Sequence, residues 1–167
     1  MVWSCLVSIL PGMAQTEKLT DYVNPFVGTD GYGNVYPGAQ IPFGGIQISP
    51  DTDSRFYDAA SGYKYNHLTL MGFSLTHLSG TGIPDLGDFL FIPGTGEMKL
   101  EPGTHEDPDQ GYRSRYSHDK EWASPNYYAV ELADYGVKAE MTSGVRSGMF
   151  RFTYPESDNA FIMIDMN

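Results

Sequence analysis

Alternation of apolar and polar positions dominates the second half of the chain. Tyr128, Val130 and Leu132 alternate with polar or small residues, and Val137, Ala139 and Met141 oppose Lys138 and Glu140. Phe150, Phe152 and Tyr154 interleave with Met149, Arg151 and Thr153, and Ala160, Ile162 and Ile164 begin a further run. Successive side chains of a strand point to opposite faces, so each run reads as a β-strand. Turn residues separate the runs at 134–136, at Ser143-Gly144 and at 155–159. Strands at this spacing, beginning as a meander after Pro125, predict an all-β fold, an antiparallel β-sandwich. No segment carries the stripe of a helix, and no repeat is present.

The upstream pattern is shorter and more broken. Ile46 and Ile48 flank Gln47 as a short strand requires, and residues 89–92 form an apolar run suited to a buried strand. Between 66 and 78, Leu68 and Leu70 share one parity while Phe73, Leu75 and His77 share the other. The switch falls at Met71-Gly72, where a β-bulge would move side chains to the opposite face. Asn24-Pro25, Tyr36-Pro37-Gly38 and Ile41-Pro42 disfavour helix, and Gly28, Gly31 and Gly33 predict a loop with bare backbone. Residues 101–119, with Pro102, Gly103, Pro108 and Gly111, read as a long surface loop.

The two ends carry their own expectations. MVWSCLVSIL is apolar and is followed by small residues, the later part of an export signal. Residues 1–18 are expected to be a signal peptide or a disordered tail, with mature structure from 19 to 167. The apolar run is too short to cross a bilayer, which needs about 20 residues, so no transmembrane segment is expected. The final FIMIDMN is a strand that rarely closes a domain without a turn or tail, so the polypeptide is expected to continue.

Composition narrows the function. At 167 residues, 41% apolar and 14% aromatic, the chain has material for one folded domain and is not disordered. Ten Lys and Arg against 21 Asp and Glu leave a net charge of -11. Such a surface repels phosphate backbones and anionic membranes, so no nucleic-acid partner is expected, while a neutral sugar meets no penalty. The single Cys5 excludes an internal disulfide and a Cys-rich zinc site.

Several chemical signatures fail. There is no P-loop, and Asp85 stands where the dinucleotide pattern needs its third Gly. GFSLT misses the nucleophile elbow by its last residue. Asp51 and Asp53 imitate an EF-hand, but Phe56 and Gly62 occupy its required Gly and Glu positions. Two clusters suit a sugar, whose hydroxyls need carboxylates, amides and imidazoles and whose C–H faces stack on rings. Arg55-Phe56-Tyr57-Asp58 sets aromatics beside a carboxylate, and His77 to Gly82 ends a strand in a polar loop followed by Asp85 and Asp88. On composition alone, a plain surface loop and a hydrogen-bonded structural histidine fit these clusters as well.

At these segments a resemblance enters. The strings VNPFVGTDGYGNVYPGAQIPFGGIQISPDT, SGYKYN, GFSLTHLSGTGIPDLGDFLFIP and YRSRYSHDKEWASPNYYAVELADYGVKAEMT, with the terminal FIMIDMN, resemble the N-terminal domain of glycoside hydrolase family 92. The similarity runs from about Leu19 to Asn167, with its motifs in the family's order. It implies a calcium-dependent, inverting exo-α-mannosidase with an N-terminal supersandwich-like β domain, here truncated, and a C-terminal (α/α)6 barrel. Inversion needs an acid and a base roughly 6.5–9.5 Å apart. In this family both carboxylates and the Ca2+ ligands come from the C-terminal domain, so no catalytic or metal residue is expected in this chain.

The resemblance also implies that this domain walls part of the mannoside pocket. The wall's aromatic–Asp pair matches Tyr57 and Asp58, and the Gly-rich loop, with Gly31 and Gly33, could offer backbone groups to a mannose. His77, Ser79, Gly80 and Thr81 complete the expected substrate-binding set or else shape the interdomain loop. Tyr57 stands for a usual Trp, Leu75 and Asn34 for frequent His and Ala60 for a frequent Cys. The expected function is the carbohydrate-binding part of an exported mannosidase acting on terminal α-mannosides of mannan or N-glycans, inactive alone. A stand-alone carbohydrate-binding module and a structural domain without sugar affinity are the alternatives.

Overall fold

A computed structural model describes residues 17–53, 59–80 and 89–166. Most of the expected signal segment, Tyr57, Asp58 and Thr81 lie outside the described residues. Among the described residues there are ten strands: β1 (Ser49–Asp51), β2 (Thr69–Leu70), β3 (Gly72–Ser74), β4 (Leu90–Thr95), β5 (Ser114–Arg115), β6 (Glu121–Ser124), β7 (Tyr127–Leu132), β8 (Val137–Ser143), β9 (Gly148–Thr153) and β10 (Ala160–Asp165). Among the described residues the only helical pieces are 3-10 turns of three or four residues. The fold is all-β, and every strand pair is antiparallel.

Two four-stranded sheets, ordered β1-β3-β4-β10 and β6-β7-β8-β9, carry the structure, with β2-β5 as a small separate pair. The sheets meet through Phe73, whose ring lies 6.4 and 6.1 Å from Phe150 and Phe152, and through Phe91, 5.0 Å from Phe150. Tyr128, Val130, Leu132, Val137, Ala139 and Met141, the apolar parity of β7 and β8, fill this core with Ile48 and Leu70. A second cluster of Met71, Leu90, Ile92 and Tyr112 packs with Met163. Leu90 and Ile92 alternate with Phe91, so this cluster covers the other face of the first sheet.

The structure departs from the pattern in five places. Met71-Gly72 is not a bulge: β2 pairs with β5, and β3 pairs with β1 and β4, so the phase changes because the chain changes sheets. The polar segment 101–119 is not simply a surface loop. Tyr112, Arg113, Ser114 and Tyr116 are buried, and Arg113 donates to the Thr52 carbonyl and, at 3.3 Å, to Thr69 Oγ1. Polar residues can be buried when such partners are at hand. β6 precedes Pro125 and forms a hairpin with β7 through Asn126, which adopts φ +60°. β10 leaves the meander and runs along β4 from Ala160↔Thr95 to Asp165↔Leu90. Ile48 makes only a bridge to Ala39, and the strand starts at Ser49. Its Pro50 sits on the edge strand of the sheet, where a missing N–H is tolerated.

Candidate functional site

Four segments converge at the end of β1: the Gly-rich stretch 28–36, residues 51–53, the turn 59–67, and residues 74–80 after β3. Thr52 is their hub. Its N–H donates to the Gly62 carbonyl at 2.7 Å, and its hydroxyl accepts from the Lys64 N–H at 2.9 Å and lies 3.0 Å from His67 Nδ1. The Tyr65 N–H donates to the Thr29 carbonyl at 3.0 Å, and the Gly80 N–H to the Asn34 carbonyl at 2.7 Å. The Gly-rich stretch is thus tied to both neighbouring turns.

His77 lies under this junction rather than on its surface. Nδ1 donates to the Gln47 carbonyl at 2.7 Å and Nε2 to Asp51 Oδ1 at 2.9 Å, while Ser74 Oγ donates to Asp51 Oδ2 at 2.7 Å. Burial disfavours the charged ring. The Asp51 charge and hydrogen bond, with the Gln47 carbonyl, outweigh it and raise the His77 pKa above its ordinary value. With both nitrogens donating to acceptors, the ring is an imidazolium paired with a carboxylate. Gly62, at φ +82°, covers the pair: a Cβ there would fall 2.5 Å from Asp51 Oδ1 and 2.8 Å from the His77 ring.

The turn 59–67 is anchored from below by a buried carboxylate. The Tyr63 hydroxyl donates to Glu121 Oε1 at 2.9 Å, Tyr128 donates to the same oxygen, and His118 Nδ1 lies 2.6 Å from Oε2. Burial first, and then the neighbouring Glu121 charge, pushes the Tyr128 phenol far above its usual range. Fixing Tyr63 sets the following Lys64, Tyr65, Asn66 and His67 along the edge of the site.

The remaining described candidates divide by what their polar groups already do. Gly31 donates its N–H to Asp30 Oδ1 at 2.7 Å, and its carbonyl accepts from Lys64 Nζ. Gly33 donates its N–H to the Asp30 carbonyl at 3.2 Å. A Cβ at Gly33 would sit 2.1 Å from the Gly28 carbonyl, so this glycine closes the loop on itself. Ser79 and Gly80 are exposed, and the Tyr36 hydroxyl donates to Gln40 Oε1 at 2.6 Å. The Tyr36 ring packs on His77 with centroids 5.2 Å apart.

A depression of about 250 Å³ opens between the Gly-rich stretch and the turn, lined by Asp30, Gly31, Tyr32, Lys64, Asn66 and His67. Sequence reasoning singled out only Gly31 of these as a binder. SGYKYN holds Lys64 and Asn66, but nothing in the string shows that Lys64 turns towards Gly31. A larger hollow of about 550 Å³, lined by Leu132, Ala133, Tyr154 and Pro155 among others, holds no candidate residue. Among the described residues no three His, Cys, Asp or Glu side chains are grouped to hold a metal ion. No helix among the described residues is long and apolar enough to cross a membrane.

Three comparisons bear on this arrangement. A family profile described as the Glycosyl hydrolase family 92 N-terminal domain matches residues 22–167. A protein from Arthroderma benhamiae named as an uncharacterized secreted glycosidase is 30% identical over 139 residues, 82% of this chain and 17% of that protein. The solved structure of a family GH92 inverting mannosidase from Bacteroides thetaiotaomicron superposes with a TM-score of 0.72 at 27% identity. That match covers 90% of this chain and 20% of the mannosidase. The GH92-family glycosyl hydrolase ccman5 gives 0.73 at 32% identity, covering 88% and 20%. The chain thus spans about a fifth of each relative.

Proposed function

Since the chain belongs to glycoside hydrolase family 92, as an N-terminal domain of that family, we propose that it forms one wall of a mannoside-binding pocket in an exported inverting exo-α-mannosidase. The substrates are terminal α-mannosides of mannan or N-glycans. The observation that carries the reading is the convergence at the end of β1. The family-like motifs, distant in sequence, meet there through Thr52, Gly62, Asn34 and Gly80. In sequence, Tyr57 and Asp58 fall between Asp53 and Ala59, which both belong to this junction.

In this reading Tyr57 stacks on the sugar ring and Asp58 accepts from its hydroxyls. Ser79, Gly80 and Thr81 border the pocket, and His77 acts beneath it with Asp51. Gly31 and Gly33 shape the loop, since their N–H groups are already engaged by Asp30. The acid, the base and the calcium ion belong to the remaining polypeptide, as does the (α/α)6 barrel against which the wall faces. Two measurements test this. The purified 167-residue chain is expected to release no mannose from α-mannosides, and release would overturn the division of labour. Titration with mannobiose is expected to show saturable binding that Tyr57→Ala abolishes. Binding unchanged in that variant would remove Tyr57 from the wall.

A further inference from the structure

We propose that the depression between the Gly-rich stretch and the turn 59–67 is a hexose subsite, with Tyr32 as its stacking platform and Lys64 and Asn66 as its hydroxyl-binding groups. This rests on the reading of the chain as a mannoside-pocket wall, and it adds a place and residues that the family-like motifs do not assign. Lys64 is the main observation. It is only 5% exposed, yet its ammonium has no carboxylate within ion-pair distance among the described residues and donates to one acceptor, the Gly31 carbonyl. An ammonium carries three N–H donors, so two remain for a ligand in the depression that Lys64 lines. Burying an ammonium so sparsely partnered is costly unless something else meets those donors.

The rest of the lining says what that ligand is. Tyr32 is 87% exposed at the tip of the Gly31-Tyr32-Gly33 turn, a large ring presented to solvent beside the depression. Asn66 is exposed and supplies both a donor and an acceptor, and Asp30 stands across from Lys64 as an acceptor. An anion would face Asp30 and a cation would face Lys64. A neutral ligand bearing several hydroxyls, each both donor and acceptor, satisfies both, and its C–H face covers the Tyr32 ring. At roughly 30 Å³ per water, the hollow exchanges about eight waters, a volume on the scale of a single sugar ring.

The test is a titration of the 167-residue chain with methyl α-mannoside, followed by amide chemical shifts in wild type, Tyr32→Ala, Asn66→Ala and Tyr57→Ala. Tyr32 and Asn66 are exposed, so their variants should keep the native spectrum. Saturable shifts at Gly31, Tyr32 and Asn66, weakened about tenfold in Tyr32→Ala and Asn66→Ala, are expected. Shifts confined to residues 77–80 and lost only in Tyr57→Ala would overturn the subsite and leave the wall standing. Shifts at Gly31, Tyr32 and Asn66 that survive Tyr57→Ala would uphold the subsite and remove Tyr57 from the wall. No saturable shift with the mannoside, or shifts there only with inorganic phosphate, would overturn the subsite.

Discussion

Asp51, His77 and Gly62 form a unit in which each residue makes sense only through the others. The imidazolium needs the carboxylate, the carboxylate needs Ser74 and His77, and the chain can pass over them only as glycine. Breaking a buried pair by removing one member strands a charge and costs about 3–5 kcal/mol. His77→Ala is therefore expected to lower the unfolding free energy by that amount in a urea titration. The pH dependence follows from the raised His77 pKa. The unfolded imidazole titrates near about 6.5, so the pair's contribution is complete below that pH and falls as pH rises through the higher folded value. Wild type should lose stability with pH over the range above about 6.5, and Asp51→Asn should flatten that part of the profile. Parallel profiles for the two proteins would contradict the pairing.

Among the elements, the hairpin of β6 and β7 depends most on one side chain. Asn126 holds a left-handed turn while its Nδ2 donates to the Ser143 carbonyl at 2.9 Å and its Oδ1 accepts from the Ser143 N–H at 3.0 Å and hydroxyl at 2.7 Å. It thereby joins the β6–β7 turn to the end of β8. Asn126→Ala removes these bonds and puts a side chain less suited to positive φ at the turn. A loss of about 2–3 kcal/mol, read from the shift in denaturation midpoint, is expected. This explains why β6 escaped the reading of hydrophobic pattern. Glu121-Trp122-Ala123-Ser124 carries an inward carboxylate where an apolar residue would have marked a strand, and that carboxylate is held by Tyr63, Tyr128 and His118. β7, β8 and β9 were legible because their inner faces are apolar throughout.

For the molecule as a whole, two edge strands expose apolar side chains. β9 and β10 end their sheets among the described residues, and Met149, Ile162, Ile164 and Met166 are exposed there. Edges with apolar side chains and open backbone groups pair with other chains. The isolated 167-residue chain is expected to self-associate in sedimentation despite its charge of -11, and Ile162→Lys with Ile164→Lys is expected to return it towards monomer. A monomeric wild type with a sharp, reversible thermal transition would contradict this. Family and fold class were legible before any coordinates, through period-two alternation and through motif strings long enough to be specific.

By itself the sequence determined that the chain is antiparallel β, that it carries glycoside hydrolase family 92 motifs in order, and where most of its long strands run. Those properties are written in side-chain alternation and in local turn chemistry, both of which act over a few residues. Which sheet a strand joins was decided only in three dimensions, because β3 and β10 find their partners far along the chain. The placement of His77 beneath the site, of Arg113 in the interior and of Lys64 beside Gly31 was decided there too. A polar side chain is buried or exposed according to the partners that distant segments bring to it, and no local pattern encodes those partners.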